Sequence, residues 1–367
     1  VPPLHVTQVN FHPVPDGQGL GDTLQRWPSL ADIAEAVAST GARITVLQRA
    51  SHVERLHRNG VDYRYVAPAR GVARLLADLR PDVVHVHSMG AAPSAHALSR
   101  ALPGVPILLQ DHADRVPVWW RRPRWRRWYA TAQGVAFTAP ELAQPYVSTG
   151  LFGPAMRLFA IPESTSRFTP GSRARAWSET GLYGDPCVVW VGHLQSNKDP
   201  LTVLDGVARA SEQLPGLQLW CAFGSAPLLA RVTQRVEGDP RLAGRVHLLG
   251  RVLHERVQSL MRAADIFVSG SHAESCGYAL LEAMACGVTP VVTDIPSFRA
   301  LTGDIGRLWT PGDASALAKA LVDAVTHGTS PQAVRAHFDR HLSLEAVGRR
   351  WVDAYVQLVR GQRGDPS

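Results

Sequence analysis

Two carboxylates eight residues apart, Glu274 and Glu282, stand in the stretch HAESCGYALLEAMACGVTPVVTD, residues 272–294. Between Ser275 and Thr293, Glu282 is the one charge in a run of small and apolar residues. That run predicts a helix beginning near Gly277 and stopping at Gly287, followed by a buried strand. A lone carboxylate on a buried helix needs hydrogen-bond donors. A ligand offering two hydroxyls would supply them, and pairing with an arginine is the structural alternative. Glu274 precedes the helix by one turn, in a loop that follows the strand-like DIFVSG (265–270). The N–H groups of Ser275, Cys276, Gly277 and Tyr278 open the helix, a place that suits phosphate. For Glu274 the plain alternative is a solvated loop acid.

A second segment, VVWVGHLQSNKDPLTVL (188–204), offers a cation. A buried strand ends at Gly192, a polar loop follows, and a helix starts near Pro200. All but two of the 38 basic residues are arginine, the exceptions being Lys198 and Lys319. Lys198 lies just before the helix, where a flexible ammonium could neutralise a diphosphate. Taken alone, a solvated surface lysine is the simpler reading.

Both segments need a scaffold that delivers strand-end loops to one place. The first half alternates HVTQVN (5–10), ARITVLQ (42–48), DVVHVHS (82–88) and PILLQDH (106–112) with helix-like stretches over 30–39 and 70–79. The second half repeats the style with CVVWVG (187–192), LQLWCAFG (217–224), RVHLLG (245–250), DIFVSG (265–270) and TPVVTD (289–294). Such alternation implies βαβ units and parallel sheets. With 367 residues, two domains are expected. The Pro/Ser/Thr-rich IPESTSRFTPGSR (161–173) reads as the hinge between them. The expected division is 1–165, 166–341, and a last helix in 342–367. Two such domains facing each other would bind ligand in a cleft at the carboxyl ends of their strands.

Together these segments resemble the retaining glycosyltransferases of family four, which have the two-domain GT-B fold. The resemblance spans nearly the whole chain. It rests first on Glu274 and Glu282 within ESCGYALLEAMACG, then on VGHLQSNKDP, PDVVHVHS (81–88), PGDASALAKAL (311–321) and LSLEAVGRRWVDAY (342–355). It implies two Rossmann-like domains, with the last helix returning to the first. It further implies that Glu282 binds the ribose of a nucleotide-diphosphate sugar, and that Glu274 contacts the sugar being transferred. The N–H groups of Ser275, Cys276, Gly277 and Tyr278 would touch sugar and diphosphate, with Lys198 on the diphosphate. Gly250 and Arg251 would border the base, and Gly192 and His193 would lie beside the donor. His112 would face the transferring sugar. The loop Asp16-Gly17-Gln18-Gly19-Leu20-Gly21 would line the cleft through Gly19 and Gly21, although a Gly-x-Gly-x-Gly is equally a flexible loop.

The chain departs from the family pattern at two places. His193 stands where arginine is usual, and Cys276 where an aromatic residue is usual. A histidine at 193 implies that donor affinity falls as pH rises through its titration, unless the diphosphate holds it protonated. The resemblance implies UDP- or GDP-sugar as donor, a hydroxyl acceptor such as a glycan, a lipid-linked sugar or a small molecule, and no cofactor. No Asp-x-Asp occurs, so a metal-bridged diphosphate is not expected. A catalytically dead nucleotide-sugar-binding protein, or an epimerase of related fold, remains the alternative.

Other features narrow the classes. The net charge of +7 comes largely from one stretch, RVPVWWRRPRWRRWY (115–129), with six arginines, five aromatics and no acid. Trp125, Trp128, Tyr129 and Ala132 share a helical face, which reads as a core-facing helix with solvated arginines. Contact with anionic lipid or with an anionic acceptor are the sharper readings. Lysine-poor and locally concentrated, this charge does not suit a nucleic-acid binder. His85 and His87 share a strand face without further ligands at metal spacing. The four cysteines, all in the second half, read as reduced and packed. Val1-Pro2-Pro3 leads straight into a strand-like run, and no apolar run approaches the ~18 residues of a membrane span. A soluble cytoplasmic protein is expected, with peripheral contact at the inner membrane face.

Overall fold

Runs of β-branched residues flanked by turn formers fold here as central strands, and the amphipathic stretches between them cover both faces. The structure is a computed structural model describing residues 3–67 and 69–363. Those residues fall into two units. One takes in the chain up to Thr165 and again from Leu344 onward, the other Ser166–Ser343.

The first unit carries strands β1 (His5–Asn10), β2 (Arg43–Arg49), β3 (Arg55–Arg58), β4 (Val61–Val66), β5 (Val83–His87), β6 (Ile107–Gln110), β7 (Gly134–Phe137) and β8 (Arg157–Ala160). They form one sheet in the order β3-β4-β2-β1-β5-β6-β7-β8, parallel except for the antiparallel β3–β4 pair. Alternate residues feed two cores. Val6, Ile44, Val83 and Leu108 pack on one face, and Val9, Leu47, Val84 and Leu109 on the other.

The second unit carries β9 (Cys187–Gly192), β10 (Gln218–Phe223), β11 (Val246–Gly250), β12 (Ile266–Ser269), β13 (Thr289–Thr293) and β14 (Arg307–Trp309). Its all-parallel order is β11-β10-β9-β12-β13-β14. Every strand foreseen from the sequence is present. Five were not foreseen: β3, β4, β7, β8 and β14. The segment 161–173 holds no strand and only the first turn residue of a helix, yet Ile161–Thr165 is buried throughout.

The last helix, Leu344–Arg363, falls within the expected 342–367 and packs on the helix Pro28–Ser39 of the first unit. The two approach closely because residue 348 is glycine: a Cβ there would lie 2.1 Å from the Ala36 carbonyl oxygen. Trp351 on this helix is fully buried and stacks on His85 with ring centres 4.8 Å apart. Trp351→Ala should therefore cost about 3–5 kcal/mol, read as a lower urea midpoint at unchanged m-value. A loss under about 1 kcal/mol would show that this helix does not complete the core.

Candidate active site

In the second sheet the winding reverses between β9 and β12, with β10 and β11 on one side of β9 and β12–β14 on the other. Doubly wound sheets take ligands beyond the carboxyl ends of the two strands at such a switch point. Lys198 comes from the loop after β9 and Glu274 from the loop after β12, and their charged groups are in contact. The Ser271 hydroxyl also donates to Glu274, at 2.7 Å.

The two loops are laced together. The His272 N–H donates to the Asn197 carbonyl at 2.9 Å, and the Asn197 amide donates to the Ala273 carbonyl at 3.0 Å. His272 Nε2 lies 2.9 Å from Asp199 Oδ2. Asp199 caps the helix Pro200–Ala210 by accepting from the Thr202 N–H at 3.3 Å. Gly270 permits this approach, since a Cβ there would stand 3.1 Å from the carbonyl oxygens of Lys198 and Asp199. The pair is thus held by two anchored loops.

Glu282 lies on the helix Tyr278–Ala285, capped by Gly277. Its Oε1 is 2.6 Å from Nε2 of His254, the first residue of the helix that follows β11, Gly250 and Arg251. The partner is a histidine rather than the arginine weighed from sequence. The Cys276 side chain is fully buried in the core, so its backbone is what it can offer a ligand, while Tyr278 is exposed. His193 follows Gly192 at the end of β9, and its Nδ1 accepts the Ser225 N–H at 3.1 Å.

In the first unit His112 follows β6. Glu163 Oε2 lies 2.5 Å from its Nδ1, and His87 Nδ1 lies 3.1 Å from its Nε2. The rings of His85, His87 and His112 stack in sequence. Burial pushes His85 down to about 3, with repulsion from His112 adding to it, and pushes His87 well below the usual histidine range. Burial opposes the charged form of His112 as well. The hydrogen bond and charge of Glu163, with Asp114 and Asp111 behind it, outweigh burial and raise it. The carboxylate thus favours the charged form at one of three neighbouring rings. His85 is bound to the Tyr355 hydroxyl at 2.7 Å and to Gln110 at 2.9 Å.

Gly19 caps the helix Leu20–Arg26, whose first residue donates its N–H to both oxygens of Glu54 at 3.1 Å. A carboxylate of the chain itself occupies that helix start, and Gly21 is exposed beside it. Sequence reading missed His254, Ser271, His87 and Glu163 as partners. Glu163 left one signal, being the lone acid in IPESTSRFTPGSR. Among the described residues no three His, Cys, Asp or Glu side chains are gathered as a metal site.

Comparison with known proteins agrees with this architecture. Residues 185–327 match the family "Glycosyl transferases group 1" and residues 29–148 match "Glycosyltransferase Family 4". Sucrose-phosphate synthase from Thermosynechococcus elongatus superposes with a TM-score of 0.71 at 19% identity, covering 98% of this chain and 100% of that one. Anabaena HepE, solved with UDP and glucose, gives 0.69 at 15% identity, covering 96% and 100%. D-inositol 3-phosphate glycosyltransferase from Mycobacteroides abscessus is 42% identical over 129 residues, 34% of this chain and 28% of that protein. 2-Deoxystreptamine N-acetyl-D-glucosaminyltransferase from Streptomyces fradiae is 29% identical over 268 residues, 67% of this chain and 63% of that protein. Each match thus spans less than two thirds of the curated relative. The fold is the two-domain GT-B architecture of these solved glycosyltransferases. Within that class the chain belongs to the family-four, group 1 glycosyltransferases.

The His112–Glu163 pair makes a prediction about pH. Because the folded value of His112 is raised, the pair stabilises fully below the unfolded value of about 6.5 and loses this as pH rises through the folded value. Glu163→Gln keeps a hydrogen-bond acceptor but removes the charge. The His112 titration, followed by NMR of the ring carbons, should move to lower pH by about one unit or more. An unmoved titration would show that the carboxylate does not hold the proton.

Proposed function

We propose that the protein moves a hexosyl group from a nucleotide-diphosphate sugar, UDP- or GDP-linked, to an acceptor hydroxyl, with retention of anomeric configuration and without a metal ion. The observation that carries this reading is the meeting of Lys198 and Glu274 at the switch point of the second sheet. A sugar diphosphate needs a cation for its phosphates and acceptors for its hydroxyls, and this pair offers both.

On this reading the diphosphate takes over Lys198, which stabilises the negative charge gathering on the leaving phosphate as the glycosidic bond breaks. Glu274, released from the ammonium, accepts from hydroxyls of the sugar. Glu282 turns from His254 to the ribose hydroxyls, and the N–H groups of Ser275, Cys276, Gly277 and Tyr278 meet sugar and diphosphate. Gly192, His193, Gly250 and Arg251 border the nucleotide. His112 faces the sugar being transferred, and the loop of Gly19 and Gly21 lines the cleft. Retention has two routes: either the new bond forms on the face the phosphate leaves and the leaving oxygen takes the acceptor's proton, or an enzyme nucleophile first displaces the phosphate and the acceptor then displaces that nucleophile. The sequence has no Asp-x-Asp to bridge a metal to the phosphates, so Lys198 supplies the counter-charge.

Three of the relatives suggest where to begin. HepE was solved with UDP, which favours a UDP-sugar. The two curated relatives are named for D-inositol 3-phosphate and 2-deoxystreptamine. Both are cyclitols, so a polyhydroxylated ring is the first acceptor class to try. Site of action in the cytoplasm belongs to the same reading.

A thermal-shift panel of UDP- and GDP-sugars should show one clear winner, since a ligand at 100 times its dissociation constant stabilises by about 2.7 kcal/mol. With that donor and a cyclitol acceptor, Lys198→Ala should lose about 1.5–3 kcal/mol of transition-state stabilisation, roughly 10- to 150-fold in kcat/KM. A change under about twofold would remove Lys198 from the diphosphate. Donor converted to its epimer without acceptor would instead support an epimerase, and binding without any turnover a dead binding protein.

A further inference from the structure

The Arg/Trp stretch is only partly absorbed by the fold. The helix Arg122–Tyr129 buries Tyr129 in the first unit's core, with Trp125 and Trp128 packed partly buried against it. Arg124 covers the Trp128 ring at 4.6 Å, and Arg126 Nε donates to the Gly150 carbonyl at 2.6 Å. The apolar face of this helix is therefore committed inward and cannot enter a bilayer. The turn before it behaves differently. Trp119 is 73% exposed and Trp120 62%, with Val118 beside them at 44%. The two indoles meet edge to face, ring centres 5.7 Å apart. Pro117 beneath is buried and its carbonyl accepts from Arg122 Nε at 3.2 Å, so the turn is braced.

In the same stretch Arg115, Arg121 and Arg127 are all exposed and, among the described residues, without a carboxylate or carbonyl partner. No acid occurs from residue 115 through 140. Two adjacent indoles this open are too exposed to wall a small-molecule pocket. Indoles with a polar edge settle at the headgroup level of a membrane, and arginines beside them are drawn to anionic lipid.

We infer that the turn Val118–Arg121, flanked by Arg115 and Arg127, is a docking surface for the headgroup region of an anionic bilayer. Trp119 and Trp120 enter the interface while the three arginines pair with lipid phosphates. Attachment at this turn is peripheral; among the described residues no helix is long and apolar enough to cross a membrane. The surface would bring the first unit to an acceptor held at the membrane, but its binding is independent of which sugar is transferred.

The full chain should co-sediment at low salt with pure phosphatidylglycerol vesicles and not with pure phosphatidylcholine vesicles. Trp119→Ala and Trp120→Ala should each weaken partitioning by about tenfold. Each of Arg115→Gln, Arg121→Gln and Arg127→Gln should weaken it by about fivefold. These positions are exposed and lie outside the donor residues, so thermal stability and donor-induced shifts should stay at the wild-type level. No sedimentation with phosphatidylglycerol overturns the inference, whether the pair then serves an acceptor or a protein partner. Equal binding to both lipids, or binding that survives Trp119→Ala combined with Trp120→Ala, overturns it as well.

Discussion

A parallel sheet has no face to spare for water. Its strands must be covered on both sides, so helices fill both faces and polar chemistry is driven to the strand ends. Both sheets obey this constraint, with two separate cores per sheet assembled from alternating residues of the same strands. Where the winding reverses, the connections after neighbouring strands leave in opposite directions and open a crevice. The placement of Lys198 and Glu274 follows from that topology. They are 76 residues apart in sequence and adjacent because β9 and β12 are neighbours.

The charges at these strand ends are already compensated within the chain. Lys198 pairs with Glu274 and Glu163 with His112, and Glu282 lies within hydrogen-bond distance of His254. Stripping water from a carboxylate or ammonium costs more than an isolated contact returns, so half-buried charges persist when a partner is built in. A charged ligand then enters by exchange of partners, which lowers the cost of leaving either charge uncovered. The loops that carry the pairs are themselves hydrogen-bonded to one another, which fixes the geometry before any ligand arrives.

Central strands were legible in the amino-acid sequence because burial on both faces writes them as continuous apolar runs, as in CVVWVG. The strands that escaped lie away from the centre or are short. In β4, Val61, Tyr63 and Tyr65 are buried while Asp62 and Arg64 pair with each other on the other side, so the run looks polar. β8 and β14, of four and three residues, each close an edge with few apolar positions. Candidate ligand-facing residues could be found because scarcity marked them: a lysine among arginines, a carboxylate in an apolar helix. Their partners could not, since His254 and Glu163 become neighbours of Glu282 and His112 only through packing. The helix over 122–129 was visible by its period, and its inward face carries Trp125, Trp128 and Tyr129 as expected, while Trp119 and Trp120 in the turn before it stay exposed.

All four thiols of the chain lie buried in the second unit, and the first unit has none. Burial pushes Cys187, Cys221 and Cys286 up to about 12, so they are neither exposed nor ionised while that unit is closed. Alkylation must therefore wait for the second unit to open. The chain carries its own unfolding reporter, confined to the half where the donor is proposed to bind and silent about the other.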